Sequence, residues 1–192
     1  EAELSTRKAI ELNPNLAEAG YNLSLIELLK GNYQSGLEKY EFRFKIKTPA
    51  IPHGKTKLKR IDTKKLTKEQ KLLILSEQGL GDTLQYMRYI PYLRENGFDV
   101  SFSAQKKLHS LIQSSGIDQN PLTPEEANIV SRGKWIPLLS LPRYLKVSTE
   151  NPVISKPYIF STNELINKWK QLLIKEKRPI IGINWQGSLE ME

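Results

Sequence analysis

The residues whose types and spacing could do chemistry sit in one short loop, Ser76-Glu77-Gln78-Gly79-Leu80-Gly81, and in the carboxylate that follows it, Asp82. Gly79 and Gly81 allow backbone to approach a ligand closely, and a helix starting here offers free N–H groups. Asp82 has two possible roles. It can cap its own helix, paired with Gln85 three residues on. It can also be a general base that takes a proton from a hydroxyl. A helix start lowers an acid's pKa, so that second role needs acceptor contact and partial desolvation. Two phosphate-binding alternatives fail on spacing. A dinucleotide loop needs glycine where Leu84 stands, and an acid after the next strand, where Ser101-Phe102-Ser103-Ala104 stands. A nucleoside-triphosphate loop needs Gly-Lys-Ser/Thr, and no lysine lies between Lys71 and Lys106. Gly54-Lys55-Thr56 imitates that ending, but Pro49 replaces its first glycine and no strand precedes it.

These residues must be positioned by an α/β framework. Leu72-Leu73-Ile74-Leu75 is a continuous apolar run, the mark of a strand buried on both faces of a parallel sheet. A helix from Asp82 to about Glu95 closes at Asn96-Gly97, and Phe98 to Ser103 reads as a second strand. A helix from Gln105 to Ser114, ended by Ser115-Gly116, completes the βαβ grammar. Further on, Thr123-Pro124-Glu125-Glu126 is a capping box, Trp135 to Leu139 a strand, and Ser140-Leu141-Pro142 a turn. Residues 148 to 157 read as irregular. Ser161-Thr162-Asn163-Glu164 is a second capping box, opening an amphipathic helix with Leu165, Ile166, Trp169, Leu172 and Leu173 on its apolar side. After Arg178-Pro179, Ile180 to Asn184 reads as a strand leading into the loop Trp185-Gln186-Gly187.

Upstream, residues 9 to 44 carry a helix–turn–helix pattern. Asn13-Pro14 breaks one helix; Ala17 to Lys30 forms the next, with Tyr21, Leu25, Leu28 and Leu29 at helical spacing and Glu18 in the first turn. Gly31-Asn32 supplies a left-handed stop before a helix from about Gln34 to Phe44, with Leu37, Tyr40 and Phe44 on one face.

The chain has 192 residues, 39% hydrophobic and 26% charged, enough to bury a core. It has no cysteine and two histidines, His53 and His109, in unrelated contexts, which excludes a thiolate centre and leaves no basis for a histidine metal site. No apolar run approaches the roughly 20 residues that cross a bilayer, and no signal peptide is visible, so a cytoplasmic location is the expectation. Between Lys45 and Lys71 ten basic residues face only Asp62 and Glu69, an excess that equals the net charge of the whole chain, +8. A phosphate or nucleic-acid patch is one reading of this stretch; a solvated connector between modules is the other. With Pro49, Pro52 and Gly54 and no interleaved aromatics for base stacking, the connector is preferred and nucleic acid is not expected as a partner.

Two resemblances organise these elements. Ala17-Glu18, Tyr21-Asn22-Leu23, Gly31-Asn32-Tyr33 and Tyr40, after the Ala9…Leu12-Asn13-Pro14 ending of an earlier unit, resemble a tetratricopeptide repeat. Gly20, Glu27 and Gly36 depart from its signature, as a terminal repeat does. The run Lys71 to Gln85 with Arg88-Tyr89-Ile90-Pro91, then Ile136-Pro137-Leu138-Leu139-Ser140-Leu141-Pro142, then Gly182-Ile183-Asn184-Trp185-Gln186-Gly187, resembles heptosyltransferase-type glycosyltransferases (family 9) with tetratricopeptide repeats in front. The resemblance implies a GT-B fold of two Rossmann-like domains, and inverting sugar transfer without metal or cofactor from a nucleotide-sugar donor to a sugar or protein acceptor. It implies Asp82 as the base, and Gly79, Leu80 and Gly81 as the cleft floor. Gln85, Arg88 and Ser140 would lie on the acceptor side and Trp185, Gln186 and Gly187 on the donor side. The expected organisation is the end of a repeat array at 1–46, a protein-recruiting surface or a cap. A basic linker at 47–70, an acceptor-side Rossmann-like domain at 71–178 and the start of a second such domain at 179–192 would follow. On that expectation the chain is a piece of a longer protein, continuing at both ends and inactive by itself. The rival expectation is a non-catalytic interaction module with a degenerate α/β platform.

Overall fold

In a computed structural model, which describes residues 1–61, 65–68, 71–153 and 156–183, the apolar run Leu72–Leu75 is strand β2, buried at all four positions. It lies inside a parallel sheet of order β1-β4-β2-β3, with β1 Lys59–Arg60, β3 Val100–Ser103 and β4 Lys134–Pro137. Alternation sends Leu72 and Ile74 to one face, with Phe102 and Ile136, and Leu73 and Leu75 to the other, with Ala127. Burying each of these large side chains is worth about 1.5–3 kcal/mol. The protein is thus α/β with a four-stranded parallel sheet, consistent with a Rossmann-like platform.

Helices α4 Leu80–Tyr86, α5 Tyr89–Glu95 and α6 His109–Ser114 follow β2 and β3 and bring Met87, Ile90, Leu93 and Ile112 into the main core. The single helix expected from Asp82 to Glu95 is broken at Met87-Arg88. Pro91 has no N–H for the Met87 carbonyl and its ring would crowd it, so that carbonyl instead accepts from Ile90 N–H at 3.0 Å. Strand β4 stops at Pro137, earlier than expected, and a tight turn over Leu138–Ser140 leads to α7, Leu141–Leu145. The Thr123 capping box forms, Thr123 N–H donating to Glu126 at 2.8 Å and Glu126 N–H to Thr123 Oγ1 at 3.3 Å.

The stretch from residue 45 to 71 is more than a solvated connector. Lys59–Arg60 is an edge strand on β4, His53 N–H donates to Ser76 O at 2.9 Å, and Leu58 packs against the second face of the sheet. Gly54 is buried: a Cβ there would lie 2.8 Å from Ala127 Cβ and 3.1 Å from Leu75 Cδ2. Its glycine therefore serves close packing on the sheet. The missing apolar period reflects brevity, since two strand residues and single anchors such as Leu58 leave no repeat to detect.

Upstream lie α1 Ala2–Leu12, α2 Ala17–Leu29 and α3 Tyr33–Tyr40, the last followed by a 3-10 turn over Glu41–Phe44. Gly31 has φ +83°, as its expected stop role requires. The buried face of α2 differs from the expected one. Leu25 and Leu29 are exposed, while Gly20, Leu23, Ser24 and Glu27 are buried. Gly20 leaves room for the Phe42 ring, since a Cβ would come within 2.7 Å of it, and Glu27 is neutralised by Lys39 at 3.0 Å. Both residue sets fit a helical period, and packing partners from the next helix decide between them. Residues 1–160, hairpin and sheet together, form one compact unit.

The chain from Ser161 belongs to a second unit. Its helix α8, Asn163–Leu173, is capped by Thr162, whose Oγ1 accepts from Leu165 N–H at 3.2 Å, one residue later than expected. Leu165, Ile166, Trp169 and Leu172 are exposed. Of the strand expected at 180–184, the described residues 180–183 are exposed and form no strand; an apolar run without a neighbour among the described residues has nothing to complete its hydrogen bonds, and Asn184 lies outside them. Trp185, Gln186 and Gly187 lie outside the described residues.

Candidate functional site

The sheet brings the expected loop to its carboxyl edge. Ser76 N–H extends the ladder to Ser103 O at 2.9 Å, and Glu77 turns inward, fully buried. Gln78 then adopts φ +60°, a left-handed conformation costly for a residue with a Cβ. Its amide Nε2 donates to the Tyr40 hydroxyl at 3.1 Å.

Gly79, not Asp82, is the N-cap. The helix begins at Leu80, two residues earlier than expected, and Asp82 occupies its third position. Asp82 Oδ2 accepts from Gly79 N–H at 2.9 Å, so the carboxylate does cap, in the reverse direction. Asp82 is half-buried and its Oδ1 makes no hydrogen bond among the described residues. Gly81 has open space around it, and Leu80 is 40% exposed. One turn on, burial raises the pKa of Tyr86, with smaller contributions from Tyr89 and the Asp82 charge. Thr83 Oγ1 donates to Gln105 Oε1 at 2.9 Å and ties α4 to the segment after β3.

The remaining expected residues behave differently. Gln85 is exposed and contributes its carbonyl, which accepts from Arg88 Nε at 2.6 Å. Arg88 is fastened to Tyr158, donating to its hydroxyl at 3.1 Å and lying 4.8 Å from the ring centroid. The break at Met87-Arg88 turns it there. Ser140 is 1% exposed and faces no open cleft; it donates to Glu41 Oε1 at 2.7 Å and accepts from Arg43 Nη2 at 2.9 Å.

That last contact belongs to a network the sequence reading missed. Arg43, 1% exposed, makes a bidentate pair with Glu77, Nε to Oε2 at 3.1 Å and Nη2 to Oε1 at 2.8 Å. Arg43 Nη1 donates to Glu41 Oε1 at 2.9 Å and Tyr40 O at 3.1 Å, and Leu139 N–H donates to Glu77 Oε1 at 3.2 Å. The Arg43 and Arg60 guanidinium groups both lie over the Phe44 ring, 4.1 and 4.2 Å from its centroid, while Glu41 takes a hydrogen bond from each. Burial pulls the Arg43 pKa down, but the hydrogen bond and charge of Glu77, then Glu41, more than offset this and hold it above the ordinary arginine value. The one sequence signal was a charged residue set between two aromatics, Phe42 and Phe44.

The network fills a particular place. The chain runs from β2 to β3 on one side and returns as β4 on the other, so the crevice between the carboxyl ends of β2 and β4 is the topological switch point, where open α/β sheets bind ligands. Here Glu77, Arg43 and Ser140 occupy it. The accessible part of the edge is displaced onto the start of α4, around Gly81 and Asp82. His53 Nδ1 lies 3.0 Å from Ser76 Oγ, but Ser76 is fully buried and offers no exposed nucleophile. No cluster of three potential metal ligands occurs among the described residues. Hollows of 780 and 660 Å³ flank the junction of α3 with residues 143–150, and neither is lined by Asp82.

The fold and site define an α/β platform with a carboxylate at the carboxyl edge of its sheet. No family model matches the chain, and neither a curated protein nor a solved structure matches it. No helix among the described residues is long and apolar enough to cross a membrane.

Proposed function

We propose that the chain is the acceptor-side part of a GT-B glycosyltransferase of the heptosyltransferase-like type, preceded by the last tetratricopeptide repeat of an array. The observation that carries this is Asp82: a half-buried carboxylate beside a glycine turn, one oxygen on Gly79 N–H and the other unengaged among the described residues. Oδ2 fixes the group; Oδ1 is left to accept a proton. In the reaction the acceptor oxygen attacks the anomeric carbon of a nucleotide-sugar and the glycosyl–phosphate bond breaks. The nucleotide leaves with the electron pair and the hydroxyl proton passes to Asp82, with inversion and without a metal. Gly79, Leu80, Gly81 and Gln85 border the acceptor, whether sugar or protein, and the donor side begins at Trp185-Gln186-Gly187. A cytoplasmic location and protein recruitment by the repeats belong to the same proposal.

The test is the full-length protein with a panel of nucleotide-sugars, read as release of nucleotide. Asp82→Asn is expected to lower the rate about 10²- to 10⁴-fold with the fold intact.

One observation favours a second reading, a non-catalytic interaction module: the switch-point crevice is filled by protein. A full-length protein that turns over no nucleotide-sugar, and whose partner binding is indifferent to Asp82→Asn, would establish it.

A further inference from the structure

The loop that carries Asp82 is held by two residues that come from the helical hairpin. Ser76 is bonded on both sides by main chain, from Ser76 N–H to Ser103 O and from His53 N–H to Ser76 O, each at 2.9 Å. Beyond it the parallel ladder ends: Glu77 makes an isolated antiparallel bridge with Pro52, and side-chain contacts of Glu77 and Gln78 add to this single main-chain pairing. Glu77 is clamped by Arg43, with Leu139 N–H on the same oxygen as Nη2. Gln78 keeps its left-handed φ of +60° with its amide on Tyr40. Such a conformation in a non-glycine residue persists only where its surroundings over-determine it. Tyr40 ends α3 and Arg43 lies three residues on, in the 3-10 turn that follows; the Arg43 guanidinium lies 4.5 Å from the Tyr40 ring centroid, so the two clamps are one unit. The next residue, Gly79, donates the N–H that aims the Asp82 carboxylate.

We infer that Arg43 and Tyr40 are positioning residues for Asp82: through Glu77 and Gln78 the hairpin sets the conformation of residues 77–79, and with it the direction of the carboxylate. The hairpin is therefore part of the site's construction as well as any recruiting arm. The importance of this for catalysis rests on the proposed role of Asp82 as a base; the positioning itself does not.

The experiment uses the full-length protein and two changes. Replacing the pair together, Arg43→Met with Glu77→Met, leaves no unpaired buried charge and preserves the apolar volume. Tyr40→Phe removes one hydroxyl only. Amide hydrogen exchange is followed at Gly79–Thr83 and at Leu72–Leu75, with kcat and KM measured on a nucleotide-sugar that the wild-type protein consumes. Expected are roughly tenfold faster exchange at 79–83 in the paired variant and a smaller increase for Tyr40→Phe, with β2 as protected as before. Turnover should show a fall in kcat with KM little changed. Unchanged exchange at 79–83 in both variants overturns the inference, as does equal opening of β2, which would mean a merely structural role. If the paired variant does not fold, Tyr40→Phe decides alone. Faster exchange at 79–83 in a protein that consumes no nucleotide-sugar upholds the positioning and overturns the sugar-transfer proposal instead.

Discussion

Arg43 and Glu77, 34 residues apart in sequence, meet in a bidentate ion pair from which water is excluded, with Arg43 1% exposed and Glu77 not exposed at all. A buried charge pair is a poor source of net stability but an expensive one to break. Arg43→Ala should strand the Glu77 carboxylate and cost about 3–5 kcal/mol. The paired methionine replacement strands no charge but leaves Leu139 N–H without its acceptor, and should cost less, about 1–3 kcal/mol. Urea denaturation of the two variants separates these outcomes, and equal losses would contradict the account of the network.

Asp82 has two duties that substitution can separate. Asp82→Asn retains an oxygen to accept Gly79 N–H, so its stability should stay within about 0.5 kcal/mol of wild type, as for a surface change that spares such a feature. Asp82→Ala loses the bond and should cost about 0.5–2 kcal/mol. Both should transfer sugar about 10²- to 10⁴-fold more slowly than wild type. Thermal melts of the pair beside their rates test this, and an asparagine variant with full activity would remove the base.

Gly54→Ala tests whether the basic segment is part of the α/β core. Its Cβ would have to fit 2.8 Å from Ala127 Cβ and 3.1 Å from Leu75 Cδ2. Overpacking of this kind costs about 1–3 kcal/mol, visible as a lowered melting temperature. A loose connector would tolerate the change without effect.

The pH dependence of stability should carry a tyrosine signature. Burial raises the Tyr40 pKa from 10.0 to about 12, only partly offset by the hydrogen bond from Gln78. As pH rises through that interval, the unfolded chain gives up this proton while the folded chain keeps it. The unfolded state then binds fewer protons, so stability falls with rising pH, and below the interval this group contributes no slope. Tyr86, Tyr89 and Tyr144 are raised by burial as well and act in the same direction. Tyr40→Phe should give a shallower fall, measured by denaturation at alkaline pH alongside tyrosinate absorbance.

Residue types and their spacing determined by themselves the buried strand at Leu72–Leu75, the glycine turn after it, the parallel α/β grammar, and Asp82 as the carboxylate at the sheet edge. These are local facts: an unbroken apolar run, a turn composition and a capping distance each act within a few residues. The tertiary structure alone decided which face of α2 is buried, that Lys59–Arg60 completes the sheet, that Ser140 is sealed, and that Arg88 is turned onto Tyr158. It alone brought Arg43 to Glu77. Each of these depends on partners tens of residues away, and an arginine reads as solvated until the carboxylate that neutralises it is in place.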